Sequence, residues 1–536
     1  MQTLTIALLI GLLLVGPSSA QQTSEKLGTV NFPTSCSSAA QAEFTRAVAL
    51  LHSFWFGYAI KGFEAAVQAD ASCGIAYWGG AMARMGNPLA GAPSAKDIEL
   101  GAATVAKGKG VGAKSRRELD YLAAIEVFYK DHDKVDHRTR AKNYEKAMEA
   151  LAAKYPQDRE GAIFYALALN MTLDPADKTY ANQLKAAAIL EKAFAEQPNH
   201  PGVAHYLIHS YDFPPIAPKG VPAARSYAKI APSAPHAQHM PSHIFTRLGY
   251  WQESIEANRA SVEAAKDELR QAKLEAGSYN ALHAMDYIEY GTLQLVKDRE
   301  AKAVVDEIRR IEKIDVEHFV AAFAFAAIPA RYALERRQWG EAAELTLHPQ
   351  TLSWQKFPQA ESMVWFARGL GAARGGNVAR AKADLARLEA LRDGMTAAKN
   401  AYWANQAEIQ RLSVAGWIAR GEGRTDEALA FLRRAADTED ATEKHPVTPG
   451  AIQPAREMLG ELLLELNQPT QALTEFEASQ RIDPNRFHGL AGAARAAELA
   501  GDKARARKYY EALVTLARTA DSERPEIEHA KAFLAK

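Results

Sequence analysis

Near the C-terminus, Asn467 and Gly501, Ala472 and Ala506, and Phe476 and Tyr510 are each separated by 34 positions. A fixed period of this length marks a repeat array, in which each unit buries its apolar face only against its neighbours. Each unit reads as a turn residue, a small residue five positions on, and an aromatic four further. The small residue lets two helices approach, and the aromatic fills the gap to the next hairpin. Pro484 follows the first of these two units. Looser copies run through the chain, among them GYAIKGFEAAVQAD with Ala59 and Phe63, NYEKAMEALAAKYPQD with Ala147 and Pro156, LGYWQESIEANRASV with Gly249 and Ser254, and RGEGRTDEALAFL. Apolar residues recur at helical spacing almost throughout, and alternating β-branched runs are few. The copies lie about 30 to 47 residues apart, which predicts roughly 10 to 12 helical hairpins with insertions.

The pattern resembles the tetratricopeptide repeat (TPR). The resemblance implies an all-α, right-handed α-solenoid of helix hairpins. It also implies that positions 2, 5, 9 and 12–13 of each first helix face a concave groove.

The 64 Lys and Arg balance the 64 Asp and Glu, which excludes a bulk nucleic-acid or anionic-membrane binder, since those need a basic footprint. The opening MQTLTIALLIGLLLVGPSSAQQ carries an apolar run, Leu4 to Val15, of signal-peptide length, with small residues before Gln21. Residues 1–20 read as an export signal, followed by a chain without a membrane span that is periplasmic or secreted. Export makes a disulfide between the two cysteines, Cys36 and Cys73, the expected state, with two buried thiols as the alternative. Residues 21–120 read as N-terminal hairpins with this staple and a flexible loop, 121–300 as central repeats, and 301–536 as C-terminal repeats.

Two stretches look irregular. Ala90 to Asp120 is rich in Gly, Ala and Lys and reads partly as a mobile loop. Asp212 to Pro222 carries four prolines and reads as a stiff extended connector. Within the first, GKGVGAKS lacks the second glycine and the preceding strand of a phosphate-binding loop. The nucleophile elbow G-x-S-x-G and the H-E-x-x-H zinc motif are both absent.

Histidine is the uneven residue. Of 15, seven fall between 200 and 283: His200, His205, His209, His236, His239, His243 and His283. The pairs in HYLIH and HMPSH are offset by 34, and with Pro198 and Pro232 taken as repeat-closing prolines, as the TPR resemblance implies, His205 and His239 sit at position 5 and His209 and His243 at position 9. His236 falls at position 2, and Asp212 and Arg247 at 12–13. One stretch of groove is therefore expected to present His205, His209, Asp212, His236, His239, His243 and Arg247. Imidazoles four apart on a helix lie on one face and can converge on Zn, Cu or Fe. The metal set would be His205, His209, His239, His243 and His283, with Asp212 behind it. Pro241 decides the second pair, because it can start or kink the helix between His239 and His243. His52, in LLHSFWFGYA, reads as core.

SFWFGYAIKGFEAAVQADASCGIAYWGGAMA, the segment from HYLIH through HMPSHIFTRLGYW, and ALHAMDYIEYG together resemble exported bacterial TPR proteins with a histidine-rich centre. The resemblance carries no catalytic residues. Two functions follow from the residues. One is a non-enzymatic binding module that holds a peptide, protein segment or small ligand in its concave groove. The alternative is a metalloprotein (Zn, Cu or Fe) using the same histidines, with metal-assisted hydrolysis or oxidation as the chemistry.

Overall fold

The computed structural model describes residues 25–536, so the expected export signal lies outside the described residues. These residues form 26 α-helices and three short 3-10 turns, with a single isolated bridge between Gly277 and Ile314 as the only β pairing among them. Consecutive helices pair as antiparallel hairpins and stack into an all-α solenoid.

The repeat logic survives in atomic detail. Ala59, Ala472 and Ala506 are fully buried, and Phe63, Phe476 and Tyr510 lie within the stack. Phe476 occupies the space where side chains on Gly460 and Gly492 would stand, and Phe63 does the same at Gly79. Asn467 and Gly501, one period apart, both turn through positive φ, 56° and 80°. That is the left-handed residue that ends a helix and redirects the chain.

The expected loop at 90–120 is mostly helical. Ala95–Val111 is a helix whose N-cap Ser94 accepts from the Asp97 amide. Its glycines are contact points rather than breakers: Gly101 receives the Tyr129 ring and Gly108 receives Tyr77 and Leu122. The expected extended connector is also folded. Ile216 and Ala217 both donate to the Phe213 carbonyl, a 3-10 turn covers Ala217–Gly220, and the helix Val221–Ile230 begins with Pro222 in its first turn, where proline loses no intrahelical bond.

Cys36 and Cys73 are joined in a disulfide with Cα atoms 5.0 Å apart. It ties the segment before helix Ser38–His52 to the start of helix Gly74–Arg84. No helix among the described residues is long and apolar enough to cross a membrane.

Two buried apolar clusters divide the stack, one from Leu27 to Phe245 and one from Trp251 to Ala530. The coil also returns on itself. Glu443 pairs with Lys178, Lys444 with Asp212, and the Trp251 indole donates to the Asn485 carbonyl. The segment between helices Thr425–Asp440 and Ala455–Glu465 thus lies across the seam between the clusters, where the histidines are.

Candidate metal centre

Six histidines form two adjoining groups of three, His205, His209 and His236, then His239, His243 and His283. In each group one nitrogen per ring lies within 4.8 Å of the others. Helix Pro201–Tyr211 supplies His205 and His209 one turn apart. Pro235–His239 and Pro241–Arg247 supply His236, His239 and His243. Tyr279–Gln294, in the second apolar cluster, supplies His283. The two groups touch, with ring centroids 5.5 Å apart for His209 and His243 and 5.9 Å for His236 and His239.

The chain runs through Pro241 without leaving helical geometry. Met240 has φ −53° and ψ −36°, its amide donates to the His236 carbonyl, and the His243 amide donates to Met240. His239 and His243 therefore keep their one-turn relationship, and their Nε2 atoms lie 3.0 Å apart.

That contact has a definite electrostatic character. Asn258 Nδ2 donates to the Ser254 carbonyl at 2.7 Å, which turns Asn258 Oδ1 toward His239 Nδ1, also at 2.7 Å. His239 Nδ1 must carry the proton. His243 Nδ1 faces Asp212 Oδ2 at 2.9 Å and likewise donates. Both Nε2 atoms then present lone pairs to each other. Two buried acceptors in contact lose their solvation and repel, and a shared cation removes both costs. With Zn–N-like bonds, separations of 3.0–3.2 Å correspond to a ligand–metal–ligand angle of about 95–105°.

The first group is built similarly. His205 Nδ1 donates to the His52 carbonyl at 2.6 Å, leaving Nε2 free. That atom lies 3.2 Å from both His209 Nε2 and His236 Nε2. Phe54 packs on this group, 4.3 Å from the His205 ring and 5.5 Å from His236, and holds a positive φ of 53° to do so. Such a backbone is uncommon for a bulky residue and costs on the order of 1–3 kcal/mol.

Burial, reinforced by neighbouring imidazoles, holds His205, His209, His236, His239 and His283 well below the usual imidazole range. Burial lowers His243 as well, against the upward pull of Asp212. All six are neutral near pH 7, the form that ligates metal. Burial alone would raise Asp212, yet Lys444 and Arg247 hold its carboxyl well below the usual carboxylate range. Arg247 Nε reaches Asp212 Oδ1 at 2.9 Å and Lys444 Nζ reaches Oδ2 at 3.1 Å. The polar support behind the second group is thus two cations and one carboxylate.

A third group, His52, Glu160 and His200, satisfies the same distance criterion and differs in kind. His52 Nε2 donates to Glu160 at 3.0 Å while Nδ1 accepts from the Tyr206 hydroxyl at 2.9 Å. His200 Nε2 donates to Glu160 at 2.8 Å while Nδ1 accepts from the Val203 amide at 3.2 Å. Every ring nitrogen has a partner of the right sense. Although burial opposes it, the two imidazoles hold the Glu160 carboxyl at about 2. His52 is core, as the sequence indicates, and its carbonyl aims His205.

The groove set from the sequence is brought together but not laid open. His205, His209, His239, His243, Asp212 and Arg247 are all buried, while His236 and His283 keep partial exposure. Asp286, near His283 in sequence, pairs instead with Arg331 at 2.9 Å. Three contributors escaped sequence reasoning: Asn258, Tyr287 and Lys444. Tyr287 packs on His239 and His243 at 4.7 and 5.6 Å, and its hydroxyl lies 3.2 Å from the Pro446 and Thr448 carbonyls. The run KHPVTPG, another histidine beside prolines, was the available signal.

A cavity of about 700 Å³ borders the centre at His209 and Asp212. Aromatic side chains from distant repeats line it, among them Phe213, Phe319, Tyr402, Trp403 and His445, together with Lys444.

No family model matches the chain. No curated protein matches it. Among solved structures, a monomeric mutant of IFIT1 with Gppp-AAAA aligns at 13% identity over 83% of this chain and 90% of that one, with a TM-score of 0.36. A human IFIT1 dimer with PPP-AAAA aligns at 12% identity over 90% and 96%, with a TM-score of 0.34.

Proposed function

We propose that this solenoid is a metalloprotein that holds a pair of metal ions, best filled by copper, in its two tri-histidine groups. The observation that carries the reading is the 3.0 Å contact between His239 and His243 Nε2, both fixed as acceptors by Asn258 and Asp212. A core hydrogen-bond network would pair a donor with an acceptor there, as the His52–Glu160–His200 group does. A docked peptide would need exposed histidines, and four of the six are at most 6% exposed.

Charge selects the metal. Six neutral imidazoles bring no negative charge, and the Asp212 carboxylate is already outweighed by Arg247 and Lys444. Two adjacent divalent ions would place about four positive charges in a buried site without a bridging carboxylate. Two Cu(I) ions halve that charge, and imidazole suits copper.

The test is loading. The full chain, purified without a histidine tag and stripped with a chelator, is exposed to Cu(I) under argon or to Zn²⁺, then desalted. Two copper ions per chain are expected, falling to one in a His239→Ala/His243→Ala variant. Retention of less than one copper by the unaltered chain overturns the reading.

A further inference from the structure

The cavity beside His209 gives the metal pair a substrate site. Resting on the copper reading, we infer that the pair reduces dioxygen while oxidising an aromatic diol held against Trp403 and Phe319. Three features of the architecture meet at this conclusion.

First, the groups adjoin. His209 belongs to one and His243 to the other, with ring centroids 5.5 Å apart. Three ligands per ion leave each an open coordination position, so a two-atom molecule can bridge the pair. Two Cu(I) ions held by the six histidines would each supply one of the two electrons that take dioxygen to the peroxide level, and the reduced oxygen would supply the negative charge that the ligands lack.

Second, the cavity has the size and lining of a small-molecule site. Its volume of about 700 Å³ lies within the range that encloses a compact organic ligand. Trp403 and His445 pack at 5.1 Å, and Phe319 meets Trp403 at 5.2 Å in an edge-on arrangement. These faces suit a planar ring. Third, Lys444 stands in the same wall, paired with Asp212 at 3.1 Å, and its ammonium keeps further donors for the oxygen of a diol approaching the metal.

The redox balance closes without an outside reductant. Each diol gives up two electrons and two protons and leaves as a quinone. Two diols and one dioxygen yield two quinones and two waters. Both oxygen atoms of dioxygen leave as water, and the copper ions return to Cu(I).

The experiment uses the full chain loaded with Cu(I) under argon. Dioxygen is admitted, the near-ultraviolet and electron paramagnetic resonance spectra are recorded, and oxygen uptake is followed with catechol. Expected are a new charge-transfer band, a silent paramagnetic signal from two coupled Cu(II) ions, and one dioxygen consumed per two catechols with saturation. Trp403→Ala should raise KM for catechol at least tenfold while the band and silent signal persist; Phe319→Leu is the second variant if the first does not fold. Two coppers bound with a full signal from uncoupled Cu(II) and no uptake overturns this inference and leaves the metal reading intact. So does uptake whose KM is unmoved by both cavity variants. Failure to bind copper overturns both readings.

Discussion

Asn258 Oδ1 accepts from His239 Nδ1 at 2.7 Å, and the Asn258 amide is itself held by the Ser254 carbonyl one turn back. This two-step relay fixes which imidazole nitrogen points into the second group. Asn258→Leu should weaken copper at that group by about 10- to 100-fold, the usual effect of losing a ligand's outer hydrogen bond. Asn258→Asp restores an acceptor and should recover most of the affinity. Competition titrations against a Cu(I) chelator measure both; equal loss in the two variants would count against the relay.

Asp212 joins His243, Arg247 and Lys444, and so couples the first half of the stack to the returning segment. Asp212→Asn leaves two buried cations without their anion. Breaking a buried pair from one side costs about 3–5 kcal/mol. Urea unfolding monitored by tryptophan fluorescence should show a loss of that order, and proteolysis should open the segment around Lys444. A variant as stable as the parent would remove Asp212 from this role.

Glu457, buried on helix Ala455–Glu465, belongs to none of the histidine groups. Burial pushes its carboxyl up to about 7, although Arg486 at 2.9 Å pulls it down. The folded value exceeds the unfolded one, so the native state binds more protons between about pH 4.5 and 7. This group's contribution is full below that window and is lost as pH rises through it. Glu457→Gln keeps an oxygen for Arg486 and Ser479 and should flatten the pH dependence of the urea midpoint across the window. An unchanged slope would show that Glu457 does not titrate there.

The disulfide closes a loop of 37 residues between Cys36 and Cys73. By chain entropy such a closure stabilises by about 4 kcal/mol. A Cys36→Ser/Cys73→Ser variant should lose about 2–4 kcal/mol, read as a lower thermal midpoint. Copper stoichiometry should be unchanged, because the staple lies at the N-terminal end of helix Ser38–His52, whereas His52, whose carbonyl holds His205, ends it.

Repetition made the fold legible. The 34-residue pairs at Asn467, Ala472 and Phe476 encode a turn, a close approach and a ring, and each reappears as such. Composition misled at Ala90–Asp120, because glycine weakens helix propensity in isolation but here admits Tyr129 and Tyr77. The offset between HYLIH and HMPSH is visible in the sequence, and the structure places the two histidine pairs side by side, since neighbouring hairpins repeat the same face. Burial was not legible. The TPR resemblance implied an open groove, whereas Tyr287, Phe54 and the returning segment cover it. Lys444 stands 232 positions from Asp212, and no local pattern links two such residues.

The cover over the second histidine group comes from residues 444–448, while the ligands lie between 205 and 283. Chains fold from the N-terminus as they are made or threaded. All six imidazoles are therefore in place before the segment that roofs them exists. During that interval the second histidine group lacks the cover that Pro446 and Thr448 later place over Tyr287, and its approach is wider than in the finished molecule. The order of the sequence makes assembly of the six imidazoles and their final covering successive events, with the last third of the chain acting as the latch.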